Sequence, residues 1–81
     1  MWYVYFLRSV KNPTKTYIGI TDDVDARLNK HNDSGTKYTV THRPWELVAI
    51  IGVPSKSHAA RLEKYFKTGS GHAFAHKHLF P

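Results

Sequence analysis

Two runs of aromatic and β-branched residues, 2–8 and 17–21, open the chain, with the turn pair Asn12-Pro13 between them. This order predicts an antiparallel hairpin. Successive strand side chains alternate between faces, so Trp2, Val4, Phe6, Ile18 and Ile20 share a drier face, and Tyr3, Tyr5, Leu7, Tyr17, Gly19 and Thr21 share the other. The period then changes. Val24, Arg27, Leu28 and His31 stand at i, i+3, i+4 and i+7, the inward stripe of a helix expected over 23–33. Thr21 or Asp22 would cap it, Asp22, Asp23 and Asp25 suit the positive end of its dipole, and Gly35 would stop it. A polar connection ends at Arg43-Pro44. Residues 45–53, dense in valine and isoleucine, then predict a buried third strand closed by Pro54. Ser55 or Ser57 would cap a second helix running to about Lys67, where Ala59, Leu62, Glu63 and Phe66 repeat the stripe. Gly69 and Gly71 are expected to break it ahead of a short His-rich segment from His72 to Phe80. The predicted class is α+β, ordered ββαβα plus a short C-terminal helix.

Length and composition narrow the function. No repeat, low-complexity tract or linker divides the 81 residues, so 1–81 is read as a single domain. A chain of this size buries only about 60% of the surface it exposes when unfolded. A large internal cofactor pocket is therefore not expected. Hydrophobic content of 41%, with 14% aromatic residues, suffices for a compact core. The absence of cysteine excludes disulfides, Cys-ligated zinc and thiol nucleophiles. Any metal would be held by oxygen or imidazole ligands, which favours a hard ion, Mg2+ or Mn2+. The longest apolar runs fall far short of the ~20 residues that cross a bilayer, and no secretory signal is visible. A cytoplasmic location is expected. Net charge is +6, and such a field concentrates polyanions around the protein, which makes nucleic acid the expected partner.

Four groups of residues could carry chemistry. Arg27 and His31 are misplaced on an apolar stripe. Arg27 either pairs with Asp23 at i,i+4, with His31 an ordinary edge histidine, or points into a cleft and holds a phosphate through its planar fork. Glu63, set among Arg61, Lys64 and Lys67, is either a boundary residue with a salt bridge or a metal ligand. One carboxylate plus waters and phosphate oxygens is enough to hold magnesium. Tyr3, Tyr5 and Tyr17 either fill the sheet surface or line a site, and Gly19 beside them marks close approach of a ligand or another chain segment. His72, His76 and His78 lack carboxylate neighbours and are not taken as a metal site.

Tyr3-Val4-Tyr5 followed by Tyr17-Ile18-Gly19 resembles the paired motif for which the GIY-YIG nucleases are named. Arg27 and His31 lie in a stretch, 27–32, that looks like that family's first helix, and residues 41–48 are similar to its approach to the third strand. Glu63 falls where the family has its metal-binding glutamate. The resemblance covers nearly the whole chain and closely matches the small stand-alone bacterial members. It departs at Tyr3, where the motif has glycine, at Ile20, where some repair members have lysine, and in having no asparagine after Asn32.

Membership would imply a three-stranded antiparallel sheet flanked by helices, and a cytoplasmic bacterial protein that cuts nucleic acid, DNA ahead of RNA. Glu63 would hold a single Mg2+ or Mn2+ ion, and Arg27 would stabilise negative charge on the phosphate. Tyr17 would act as general base, with Tyr5 and His31 orienting groups or relaying protons. Lys30, Lys37, Arg43, Lys64 and Lys67 are the expected docking residues. No attached module that reads a target is expected, and a partner protein could supply target specificity. The rival readings are a nucleic-acid-binding module without catalysis and a protein-interaction domain with incidental charge.

Overall fold

The computed structural model describes residues 1–33 and 37–80, with Lys37 through its backbone only. Its elements are β1 (Trp2–Ser9), β2 (Thr16–Thr21), α1 (Val24–Asp33), α2 (Lys37–Thr41), β3 (Trp45–Val53), α3 (Lys56–Phe66) and α4 (Gly69–His78). The strands form one antiparallel sheet in the order β2-β1-β3, so the first strand lies at its centre. The predicted α+β class and three-stranded sheet are both observed. Gly35, the expected stop of α1, lies outside the described residues.

Alternation along the hairpin sorts the faces as expected. Tyr5 pairs with Gly19 and Leu7 with Tyr17, while Val4 pairs with Ile20 and Phe6 with Ile18. Val4 and Phe6 are fully buried against Ala59 and Phe66 of α3, Ala75 of α4 and Phe80. Phe66 and Phe80 meet the Phe6 ring edge-on at 5.0 and 5.9 Å between centroids, an arrangement that aligns ring edge with ring face. The other face is covered too. There Tyr5, Leu7 and Trp45 are buried and pack with Tyr17 and with Val24 and Leu28 of α1.

Several expectations need correction. The run 45–53 is a strand but not a buried one: β3 is an edge strand, and Leu47 and Ile50 are 38% and 49% exposed. Valine and isoleucine density reports strand propensity, whereas burial depends on what covers the face, and α1 leaves these two beside a cleft lined by Tyr3, Asp22, Asp23 and Asp25. A register shift opposite Phe6 and Leu7 leaves Val48 as the extra residue of a bulge. The connection before β3 also holds a helix that the periodicity did not show, α2.

Ser55 caps α3 by accepting from the His58 amide at 3.2 Å, as expected. Gly69 and Gly71, however, are not breakers. Thr68 accepts from the Gly71 amide and starts α4 at Gly69, so the helix begins before the segment expected from His72. A Cβ on Gly71 would collide with the Tyr65 carbonyl, so glycine is what lets α4 turn back closely on the end of α3. Among the described residues no helix is long and apolar enough to cross a membrane.

Candidate active site

The hairpin register creates the centre of the site. Tyr5 lies opposite Gly19, and its ring crosses the glycine so closely that a Cβ there would stand 2.6 Å from Tyr5 Cζ. Any larger residue would displace the phenol. Tyr17 enters beside it, with ring centroids 6.1 Å apart.

Helix α1 brings the third member. Its N-terminus is capped by neither Thr21 nor Asp22: Asp23 Oδ1 accepts from the Ala26 amide at 3.1 Å, while Thr21 Oγ1 accepts from the Asp23 amide. The Asp23 carboxylate is thus engaged at the cap, and among the described residues it forms no ion pair with Arg27. Two turns on, His31 is 4% exposed. Its Nε2 shares a 2.9 Å hydrogen bond with the Tyr5 hydroxyl, and its ring lies 4.7 Å from that of Tyr17. His31 Nδ1 is buried without a partner among the described residues. Arg27, one turn earlier, is exposed, and its guanidinium is near enough to act on both Tyr5 and His31.

Burial holds both partners of the hydrogen bond neutral. It is the main cause that pushes Tyr5 up to about 12; the Tyr17 phenol adds to this and the Arg27 charge opposes it. His31 is pushed below its ordinary value, first by burial and then by the charges of Arg27 and Lys30. Because the unfolded chain binds a proton that folded His31 refuses, stability is present above the ordinary imidazole range, near ~6.5, and is lost as pH falls through it. Melting temperature is expected to drop on acidification below that range, and His31→Gln should flatten the drop. His76, shifted downward by burial and by His72, should account for part of what remains. A pH profile of melting unaltered by His31→Gln would contradict this.

The wall beyond Tyr17 is built by residues that periodicity did not single out. Asn32, at the end of α1, donates from Nδ2 to the Trp45 carbonyl at 3.2 Å and accepts from the Trp45 amide at 2.5 Å, so its side chain imitates a strand neighbour at the start of β3. Trp45 Nε1 donates to the Thr39 carbonyl at 2.8 Å, which ties β3 to α2. Tyr38 and His42 complete an aromatic group with Tyr17 and Trp45.

Glu63 is not part of this cluster. It lies on α3, which packs against β2, and its carboxylate meets Lys67 Nζ at 3.5 Å, the salt bridge that the plainer reading expected. Lys30 and Lys64 are exposed. Arg43 donates from Nη1 to the Asp33 carbonyl at 2.8 Å, and the Lys37 side chain lies outside the described residues. Among the described residues no three His, Asp or Glu side chains form a ready metal cage. Glu63 meets Lys67 through Oε2 and is only partly buried, so its carboxylate is a donor of the kind a hard ion takes, the other ligands being water and substrate oxygens.

The sheet order, Tyr5 crossing Gly19 with Tyr17 beside it, and the histidine bonded to Tyr5 define a class, the GIY-YIG catalytic domain, whose family model matches residues 1–75. The chain belongs to this family. Among its relatives, a UPF0213 protein of Staphylococcus haemolyticus is 44% identical over 69 residues, covering 84% of this chain and 82% of that one. The solution structure of a UPF0213 protein from Bacillus halodurans has a TM-score of 0.56 to this fold and 35% identity, covering 100% of this chain and 89% of the other. The structure-specific endonuclease subunit slx1 of Talaromyces stipitatus is 48% identical over 65 residues, 73% of this chain. The chain spans only 17% of that protein's length.

Proposed function

We propose that this domain is an endonuclease that hydrolyses nucleic-acid phosphodiesters, DNA ahead of RNA, with one divalent metal ion. The observation that carries the proposal is the Tyr5–His31 hydrogen bond beside Tyr17, with the exposed Arg27 charge acting on both partners, in a GIY-YIG fold. Tyr5 keeps its proton at any physiological pH, so it orients rather than accepts. Neutral His31 keeps one ring-nitrogen lone pair, which can take part in a proton relay once the substrate phosphate offsets the charges of Arg27 and Lys30, and Tyr17, in ring contact with it, faces the attacking water. In the reaction a water oxygen bonds to phosphorus, the ester P–O bond breaks, the water proton passes to the Tyr17–His31 pair and the leaving oxygen departs with the bond electrons. Arg27 stabilises the added negative charge on the phosphate through its fork.

Glu63 would hold Mg2+ or Mn2+, which when bound supplies a Lewis acid at a phosphate oxygen. Lys30, Lys37, Arg43, Lys64 and Lys67 would dock the backbone of the substrate. A partner protein that chooses the target fits the name of the slx1 relative, a subunit.

A panel of duplex, branched and single-stranded DNA and RNA, incubated with Mg2+ or Mn2+, tests the reading. Cleavage is expected with either ion and none after chelation. Affinity should fall steeply with salt and depend little on base sequence, because phosphate contacts dominate it. Cleavage that survives complete metal removal would defeat the single-metal mechanism. Strong binding with no cleavage of any substrate would leave a binding module.

A further inference from the structure

One exposed ring next to the proposed site has no part in the chemistry above. Tyr38, on α2, is 42% exposed, yet it is held in place. Its hydroxyl donates to the Thr16 carbonyl at 3.0 Å, its ring lies 5.9 Å from Trp45 and 6.5 Å from Tyr17, and His42 meets it edge-on at 4.9 Å. Trp45 beneath it is 3% exposed and fixed at three points, by Asn32 at its amide and carbonyl and by the Thr39 carbonyl at its indole. The result is a rigid aromatic ledge, one ring away from Tyr17, in a protein of net charge +6. Bases stack on aromatic side chains whatever their sequence, and a basic surface alongside holds their phosphates. A base inside a continuous duplex is already stacked on both sides and cannot use such a ledge. An unpaired one can.

We propose that Tyr38 is a stacking platform for an unpaired nucleobase next to the phosphate held at the Tyr5–Tyr17–His31 cluster. The substrate class is thus nucleic acid with at least one unpaired nucleotide beside the scissile bond. This inference rests on the nuclease reading for the position of the phosphate, but the platform itself is tested by binding alone.

Affinity is measured in chelator, so that nothing is cut, for a duplex carrying one extrahelical 2-aminopurine nucleotide and for the same duplex fully paired. The wild-type chain should prefer the first by roughly 10-fold, as one stacked base provides, and should quench the 2-aminopurine emission. Tyr38→Leu keeps an apolar side chain without a ring face and should bring the ratio close to one and abolish the quench. Tyr38→Phe keeps the face and loses only the bond to Thr16, so it should retain both; it also covers the case in which the leucine variant melts early. The same pair made in RNA shows which sugar is accepted, by the larger ratio. Absence of a preference in the wild-type chain, a preference retained by Tyr38→Leu, or one lost in a folded Tyr38→Phe would each overturn the platform. If the preference holds but magnesium produces no cleavage, it is the nuclease reading that fails.

Discussion

Arg27→Ala is expected to lower the cleavage rate by ~10² or more while leaving affinity for nucleic acid almost unchanged. Arg27 is one of 12 Lys and Arg residues, so its share of the total electrostatic attraction is small. Its position is what distinguishes it. The guanidinium acts on both the buried Tyr5 and His31, whereas of the proposed docking residues Lys30 alone acts on this pair, and only on His31. Arg27→Lys should recover only part of the rate, because an ammonium keeps the charge but not the bidentate fork. Arg27 also lowers the affinity of His31 for a proton, so its removal should move the His31 titration, followed by NMR, to higher pH. Equal losses of rate and affinity, with an unmoved His31 titration, would make Arg27 an ordinary docking residue.

Glu63→Gln is expected to abolish metal-dependent cleavage with little change in folding. Glutamine keeps the size and helix propensity of glutamate and lacks the charge that a hard ion requires. The ion pair removed is an i,i+4 contact with Lys67, whose side chain is 60% exposed, and pairs of this kind contribute about 0.5 kcal/mol or less. Lys67 would return to water rather than be stranded. Metal affinity by calorimetry, cleavage and thermal melting measured together decide the matter. Intact melting with lost metal binding and lost cleavage supports the ligand role. A large fall in melting temperature with cleavage kept at low temperature would make Glu63 structural.

The two periods in the sequence carried most of the fold. Alternation along β1 and β2 put Tyr5, Tyr17 and Gly19 on one face, and the 3.6-residue stripe put His31 on the side of α1 that meets it. That two polar residues, Arg27 and His31, broke the stripe was visible because periodicity gives an expectation to violate. What lay outside any period was not legible. Asn32 is polar at a helix end, as many asparagines are, and nothing local to it reveals that its amide would pair with Trp45, 13 residues on. Helix α2 is five residues long, too short for a periodic signal, and Tyr38 and His42 could not be assigned to the site without it. The exposure of Leu47 and Ile50 follows from where α1 ends its cover, which is a tertiary fact. Choosing Asp23 over Thr21 or Asp22 as cap needed the bend in the chain that only the folded hairpin sets.

That β1 lies between β2 and β3 sets the order in which the chain can become native. Its pairing with β2 spans a short turn and can form locally, in microseconds. Its pairing with β3 must wait, because Trp2 meets Val53 and Ser9 meets Trp45 only after the whole of α1 and α2 has been made and the intervening loop has closed. During synthesis one edge of β1 therefore stays unpaired until residue 53 has emerged, and the apolar side chains of Val4 and Phe6 stay uncovered longer still, until α3 and α4 have been made. Pairing of β3 is expected to limit the rate of folding, so that in refolding kinetics substitutions that weaken the β1–β3 seam should slow folding more than those in the hairpin turn.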